Sequence, residues 1–190
     1  MGADARADLT TNSATPPHAA SDAELLAILA ELAREVSSVL DLDALLEKIP
    51  NLISRLTQFT VFSVYLLDTR YQELAIAYAV GYPEEIVKHF TLKLGQGIVG
   101  RAVQEQRTIL LDDVDADPQY LAVVPGAKSQ LCVPLRHKGE VVGALNLLSN
   151  RLSAFTERDE WILRQFGAHV AQAITTARLF ESEQIGRAHV

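Results

Sequence analysis

Residues 129–149 read SQLCVPLRHKGEVVGALNLLS, and this stretch decides the fold. Two runs rich in Val and Leu, Ser129–Arg136 and Glu140–Ser149, are separated by a turn near Lys138 and Gly139, which is the pattern of a β-hairpin. A hairpin makes antiparallel neighbours, whereas parallel strands need a crossover of a dozen or so residues. Working back from it, a polar stretch with Pro118 and Pro125 forms the longest irregular loop, and Thr108–Val114 (TILLDDV) reads as a strand. Before that lie a two-turn helix over Ile98–Gln106, a glycine-rich turn at Gly95–Gly100 and a short extended piece at Thr91–Leu94. A short helix over 84–90 is entered through the turn Gly81–Pro83. Glu73–Val80 alternates, with Leu74, Ile76, Tyr78 and Val80 on one face and Ala75, Ala77 and Ala79 on the other. Thr60–Leu67 (TVFSVYLL) is β-branched and aromatic on both faces, as in a strand covered on both sides.

Helices flank this middle. Ser21 followed by Glu24 is a capping-box signature. Leu25, Leu29, Leu32, Val36 and Val39 then recur at coiled-coil spacing, with Leu26, Ile28 and Leu40 beside them, and predict a helix over about 22–40. Leu42, Leu45, Leu46, Ile49, Leu52, Ile53 and Leu56 keep the helical period, and Pro50 inside it predicts a kink or break. Thr156 and Asp159 repeat the capping-box spacing ahead of Leu163, Phe166, Val170, Ala173, Ala177 and Phe180, which mark a long final helix. The order predicts an α+β protein with an antiparallel sheet and helices gathered on one face. Residues 1–20 are small and polar and read as a disordered leader; 21–40 form a dimerisation or linker helix, 41–180 one globular domain and 181–190 a frayed tail.

Seventeen Lys and Arg stand against 24 Asp and Glu in 190 residues, a net charge of −7, and the basic residues are scattered from Arg6 to Arg187. Nucleic-acid binding needs clustered positive charge and is excluded as a default. The longest uncharged apolar segment, Leu56–Leu67, is far short of a bilayer span, so no membrane partner is expected. The single cysteine, Cys132, cannot form an internal disulfide, which fits a reducing cytoplasm. It lies between Leu131 and Val133 on a predicted central strand, where burial makes a thiol inert.

Gly95-Gln96-Gly97-Ile98-Val99-Gly100 has the spacing of a dinucleotide-binding turn. That fingerprint requires a full crossover helix and further βαβ units; here the helix is short and a hairpin follows, so the glycines are read as permitting a tight turn. Asp113, Asp115 and Asp117 imitate the start of a calcium loop, but Pro118 and Val124 occupy the positions that need Gly and Glu. The five histidines show no metal-ligand spacing.

DLDALLEKI at 41–49, VYLLD at 64–68, GYP at 81–83, LGQGIVGRAV at 94–103, LLDDVDADPQY at 110–120, LCVPLRHKGEVVGALNLLS at 131–149 and FTERDEWILRQFGAHVAQAI at 155–174 follow one another over about 40–180. Together and in this order they resemble the GAF domain, a small-molecule sensing module of signalling proteins. Asn150-Arg151, Phe155 and Asp159-Glu160 further resemble the N-K, F-x-x-x-D-E pattern of GAF domains in phosphodiesterases and cyclases, with Arg in place of Lys. Read physically, Arg151 pairs with Asp159 and docks the last helix onto the hairpin.

The resemblance implies a six-stranded antiparallel sheet with the terminal helices on one face and a pocket on the other, roofed by the short helices and the loop around 113–128. Tyr65, Ile98, Val99, Asp113, Tyr120 and Ser129 are the expected ligand-binding residues. It implies a non-catalytic sensor of an unidentified small molecule, joined to an output domain such as a kinase, phosphatase or cyclase and relaying occupancy through its terminal helices. A homodimer through those helices is expected, since each carries more apolar surface than one stripe against the sheet requires. Two alternatives accompany this reading: a domain without an open pocket that serves dimerisation, and a reductase of free methionine sulfoxide. The reductase chemistry needs a thiolate and a resolving cysteine, so a lone Cys132 leads to the expectation that the chain is not an enzyme. No cofactor is identified, and a cysteine-linked bilin is not expected.

Overall fold

The structure, a computed structural model, describes residues 21–38 and 41–187. Residues 1–20, read above as a leader, Val39 and Leu40, read above as part of the first helix, and residues 188–190 lie outside the described residues, as does the side chain of Val36. Helix α1 (Asp22–Ser38) starts where Ser21 Oγ accepts the Glu24 backbone N–H at 3.2 Å. Helix α2 (Leu42–Ser54) starts on Asp41, whose carboxylate accepts the N–H groups of Asp43 and Ala44. At Pro50 the sequence predicts a kink or break; no break occurs, and α2 continues as one helix to Ser54. Pro50 is buried together with Leu46, Ile49 and Ile53, so packing holds the helix across the lost donor.

The strands are β1 (Val61–Asp68), β2 (Glu73–Val80), β3 (Thr91–Lys93), β4 (Ile109–Leu111), β5 (Ser129–His137) and β6 (Glu140–Ser149). Helix α3 (Glu84–His89) precedes β3, α4 (Gly97–Glu105) precedes β4, and α5 (Glu157–Arg187) closes the chain. The six strands form one antiparallel sheet in the order β3-β2-β1-β6-β5-β4, as the resemblance implies. The strand predicted over 108–114 stops at Leu111, because Asp113 accepts the Asp115 N–H at 3.0 Å and opens a 3-10 turn over Val114–Ala116.

Strand parity divides the core in two. Phe62 and Val64 of β1, Leu131, Val133 and Leu135 of β5, and Leu145 and Leu147 of β6 face the helices α1, α2 and α5. Tyr65 and Leu67 of β1, Cys132 of β5 and Ala144 of β6 face α4 on the other side. The even alternation predicted for β2 fails at one point. Val64 pairs with Tyr78 but Tyr65 pairs with Ile76, so Ala77 is an extra, unpaired residue. The bulge moves Leu74 and Ile76 to the α4 side and leaves Tyr78 on the helix side against Phe62.

Of the α1 residues assigned to self-association, Leu25, Ile28 and Leu32 are buried in the domain's own core and Leu29 packs partly against it. Among the described residues so assigned, Leu26 and Phe180 are exposed, with Leu179 beside Phe180. Thr156 and Asp159 form the predicted capping box: Asp159 Oδ2 accepts the Thr156 N–H at 2.7 Å, and Thr156 Oγ1 accepts the Asp159 N–H at 3.3 Å. Helix α5 then runs to Arg187, through most of the segment read as a frayed tail.

Candidate functional site

A cleft lies between the α4 side of the sheet and its cover. Its floor is Tyr65, Gln130, Asn146 and Leu148; its walls and roof are Tyr82, Phe90 and Leu92 on one side, Gly97, Ile98 and Val99 of α4, and Tyr120, Leu121, Val123 and Val124 of the loop after β4. The enclosed space is about 30 Å³, within a cleft of about 340 Å³ once the open mouth is counted. Gly97 stands at φ +63°, a left-handed backbone that glycine adopts without strain where α4 begins.

Polar side chains form a network on an otherwise apolar floor. Gln130 Nε2 donates to Asn146 Oδ1 at 2.6 Å, and Asn146 Nδ2 donates to Ser63 Oγ at 3.4 Å and Tyr82 Oη at 3.5 Å. Tyr82 Oη also lies 3.3 Å from Tyr65 Oη. Ser63 and Asn146 are cross-strand partners, so the β1–β6 register itself brings them together. Burial, and next the neighbouring Tyr82, push the Tyr65 phenol well above its ordinary pKa; burial raises that of Tyr120 too. Both rings therefore stay protonated at neutral pH. Two buried polar atoms of the lining have no partner: Gln130 Oε1 and Tyr120 Oη. Groups buried this way are ordinarily paired.

Tyr65, Ile98, Val99 and Tyr120 line the cleft as expected, and two expected residues do not. Asp113 is exposed, its carboxylate held on the Asp115 N–H as a turn cap. Ser129 shares the parity of Leu131 and Val133 and so belongs to the opposite side of the sheet, where its hydroxyl donates to the Arg151 carbonyl at 2.7 Å. Its neighbour Gln130 takes the place in the cleft. Tyr82, Gln130 and Asn146 are the site residues that sequence reasoning missed. The available signal was a polar residue inside an apolar strand, as in SQLCV and ALNLL.

The motif at 150–160 docks α5 differently from the expected ion pair. No Arg151–Asp159 bridge forms, because the Asp159 carboxylate is taken by the Thr156 N–H and hydroxyl, and Glu160 faces Arg164. Docking rests instead on Phe155, 3% exposed in the main core, while the Asn150 N–H donates to Thr60 Oγ1 at 3.2 Å and ties the end of β6 to the start of β1. Cys132 faces α4 but is completely buried, and that burial pushes its thiol pKa up.

Arg101 of α4 clamps the roof loop. Its guanidinium donates to both Asp117 oxygens, at 2.7 and 3.3 Å, and to Gln119 Oε1. The Arg101 hydrogen bonds hold the Asp117 carboxyl below its ordinary value against a smaller opposing effect of burial. A carboxyl whose folded pKa lies below its unfolded value of about 4 adds stability above that pH and loses it as pH falls through the folded value. Asp117→Asn should therefore cost about 1 kcal/mol at pH 7, a fall of roughly 2–4 °C in melting temperature. The gap between variant and wild type should narrow as pH drops below 4; an unchanged gap in melting curves from pH 7 to pH 3 would remove the clamp from the account.

The whole arrangement agrees with what comparison with known proteins finds. Residues 39–175 match the GAF domain family, and the chain belongs to that family. It is 34% identical over 110 residues to GAF domain-containing protein A of Dictyostelium discoideum, covering 57% of this chain and 66% of that protein. It is 28% identical over 85 residues to the free methionine-R-sulfoxide reductase of Escherichia coli (strain K12), covering 45% of this chain and 52% of the enzyme. The match thus spans about half to two thirds of the length of these curated relatives. The X-ray structure of the free methionine-R-sulfoxide reductase of Neisseria meningitidis in complex with its substrate superposes with a TM-score of 0.74 at 26% identity, covering 84% of this chain and 95% of that one. These likenesses to enzymes overturn the expectation that the chain is not an enzyme: that expectation rested on a count of cysteines, and the scaffold it set aside is one that enzymes share. No described helix is long and apolar enough to cross a membrane.

Proposed function

We propose that the chain is a regulatory GAF domain that binds a small molecule in the cleft between α4 and the sheet. The observation that carries this reading is the pair of buried, unpartnered atoms, Gln130 Oε1 and Tyr120 Oη, in a cleft whose remaining polar groups are already joined to one another. A route for the signal supports it. Strands β1, β5 and β6 supply the cleft floor on one side and pack against α1, α2 and α5 on the other, and Arg178 of α5 donates to the Leu67 carbonyl at the end of β1 at 3.0 Å. A ligand that shifts β1 thereby bears directly on α5.

A second reading, reduction of a free methionine-R-sulfoxide, is favoured by the likeness to the Neisseria enzyme in complex with its substrate. In this chain that reaction would draw on Cys132, on the cleft side of the sheet. One set of measurements separates the two. In a thermal-shift screen of amino acids, methionine-R-sulfoxide, nucleobases, cyclic nucleotides and small carboxylates, a binder at a hundred times its Kd adds about 2.7 kcal/mol, or roughly 5–10 °C. At least one stabiliser is expected, and a screen without any would contradict the ligand-binding reading. Consumption of methionine-R-sulfoxide with dithiothreitol as reductant, abolished by Cys132→Ser, would establish the second.

A further inference from the structure

We propose that the cleft takes an uncharged molecule whose polar edge carries an N–H beside a carbonyl, a cyclic amide on a small flat ring. The inference rests on the ligand-binding reading and adds the chemical class.

Gln130 is 3% exposed; its Nε2 is committed to Asn146, whose own amide is committed to Ser63 and Tyr82. Gln130 lines the cleft, and its Oε1 is left without a partner, an acceptor that calls for an N–H donor. Tyr120 Oη, protonated, can donate to a carbonyl. A cyclic amide also fits if the Gln130 and Asn146 side-chain amides are turned together, since Gln130 would then offer an N–H and the ligand's carbonyl would accept it.

Charge is excluded by the lining. The described residues around the cleft include no Lys, Arg, His, Asp or Glu. Arg101 lies outside the lining; its two terminal nitrogens hold Asp117 and Gln119, and its Nε is buried without a partner. A phosphate, carboxylate or ammonium seated here would be buried without a counter-charge. The walls are apolar, with Phe90, Leu92, Ile98 and Val99 around the space, which suits the apolar faces of a ring.

The test uses the full chain and calorimetric titration with named probes: uracil and hypoxanthine as cyclic amides, 1,3-dimethyluracil as the same ring without an N–H, and methionine-R-sulfoxide, cyclic AMP and succinate as charged molecules without a cyclic amide. The cyclic amides should bind most tightly, and loss of the N–H should weaken binding about tenfold. Gln130→Leu should weaken the cyclic amides by a similar factor, while the methylated ring, measured on wild type, does not depend on the variant's folding. A charged probe that binds more tightly than the amides, or amide binding indifferent to methylation, would overturn the proposed class while leaving the ligand-binding reading intact. Failure of every cyclic amide would also overturn it, and the thermal-shift screen then shows whether the cleft binds anything at all.

Discussion

Gly143→Ala should destabilise the domain by more than about 4 kcal/mol, enough to leave little folded protein. Gly143 lies on β6 against Leu66 and Leu135 of the neighbouring strands, in the middle of the sheet. A Cβ at this position would overlap the Tyr65 carbonyl oxygen and lie close to Leu66 Cα. Neither is the end of a flexible side chain, so the β1–β6 ladder itself must part, and that ladder carries both the Ser63–Asn146 pair and the floor of the cleft. Gly139→Ala provides the contrast. Gly139 sits in the hairpin turn at φ +84°, and an added methyl there would have nothing within 4 Å, so the cost is the left-handed backbone alone, about 1–2 kcal/mol. Urea unfolding of both variants checks this; a Gly143→Ala protein as stable as Gly139→Ala would show that the strands are less closely apposed than described.

Phe166→Ala is expected to cost about 3–5 kcal/mol, a fall of roughly 6–20 °C in melting temperature. Phe166 is fully buried in the main core. It shares that core with Val133 and Leu135 of β5 and Leu145 of β6, and close-packed neighbours relax only in part into the cavity that a lost ring leaves. Phe180→Ala, at a residue 44% exposed on the same helix, should change stability by under about 0.5 kcal/mol. Equal losses in the two variants, read by calorimetry, would mean that α5 is anchored along its whole length rather than through its first half.

Periodicity carried the architecture because each element answers to its own local pattern. Ser21 and Thr156 began helices where their capping boxes placed them, and the 129–149 hairpin formed with its turn at Lys138 and Gly139. What failed depended on partners far away in sequence. The alternation of Leu74, Ile76, Tyr78 and Val80 is unbroken on paper, and only pairing with β1 expels Ala77 and exchanges the faces. Choosing Ser129 over Gln130 was an error of one residue in parity, which carries a side chain from the cleft to the far side of the sheet. Charge complementarity between Arg151 and Asp159 was visible, but the local capping of Thr156 claimed the carboxylate first. The floor of the site was legible in one respect: Ser63, Gln130 and Asn146 are polar residues set among apolar neighbours in their strands, and all three are buried.

The claim that the cleft binds a ligand is tested most directly by chemical-shift mapping on isotopically labelled full-length chain, titrated with the strongest stabiliser from the thermal screen. The account predicts that the Gln130 and Asn146 side-chain amides and the backbone amides of Ile98, Val99 and Tyr120 move together and saturate with one dissociation constant. Unmoved resonances at those five residues, with saturable shifts elsewhere on the protein, would contradict it.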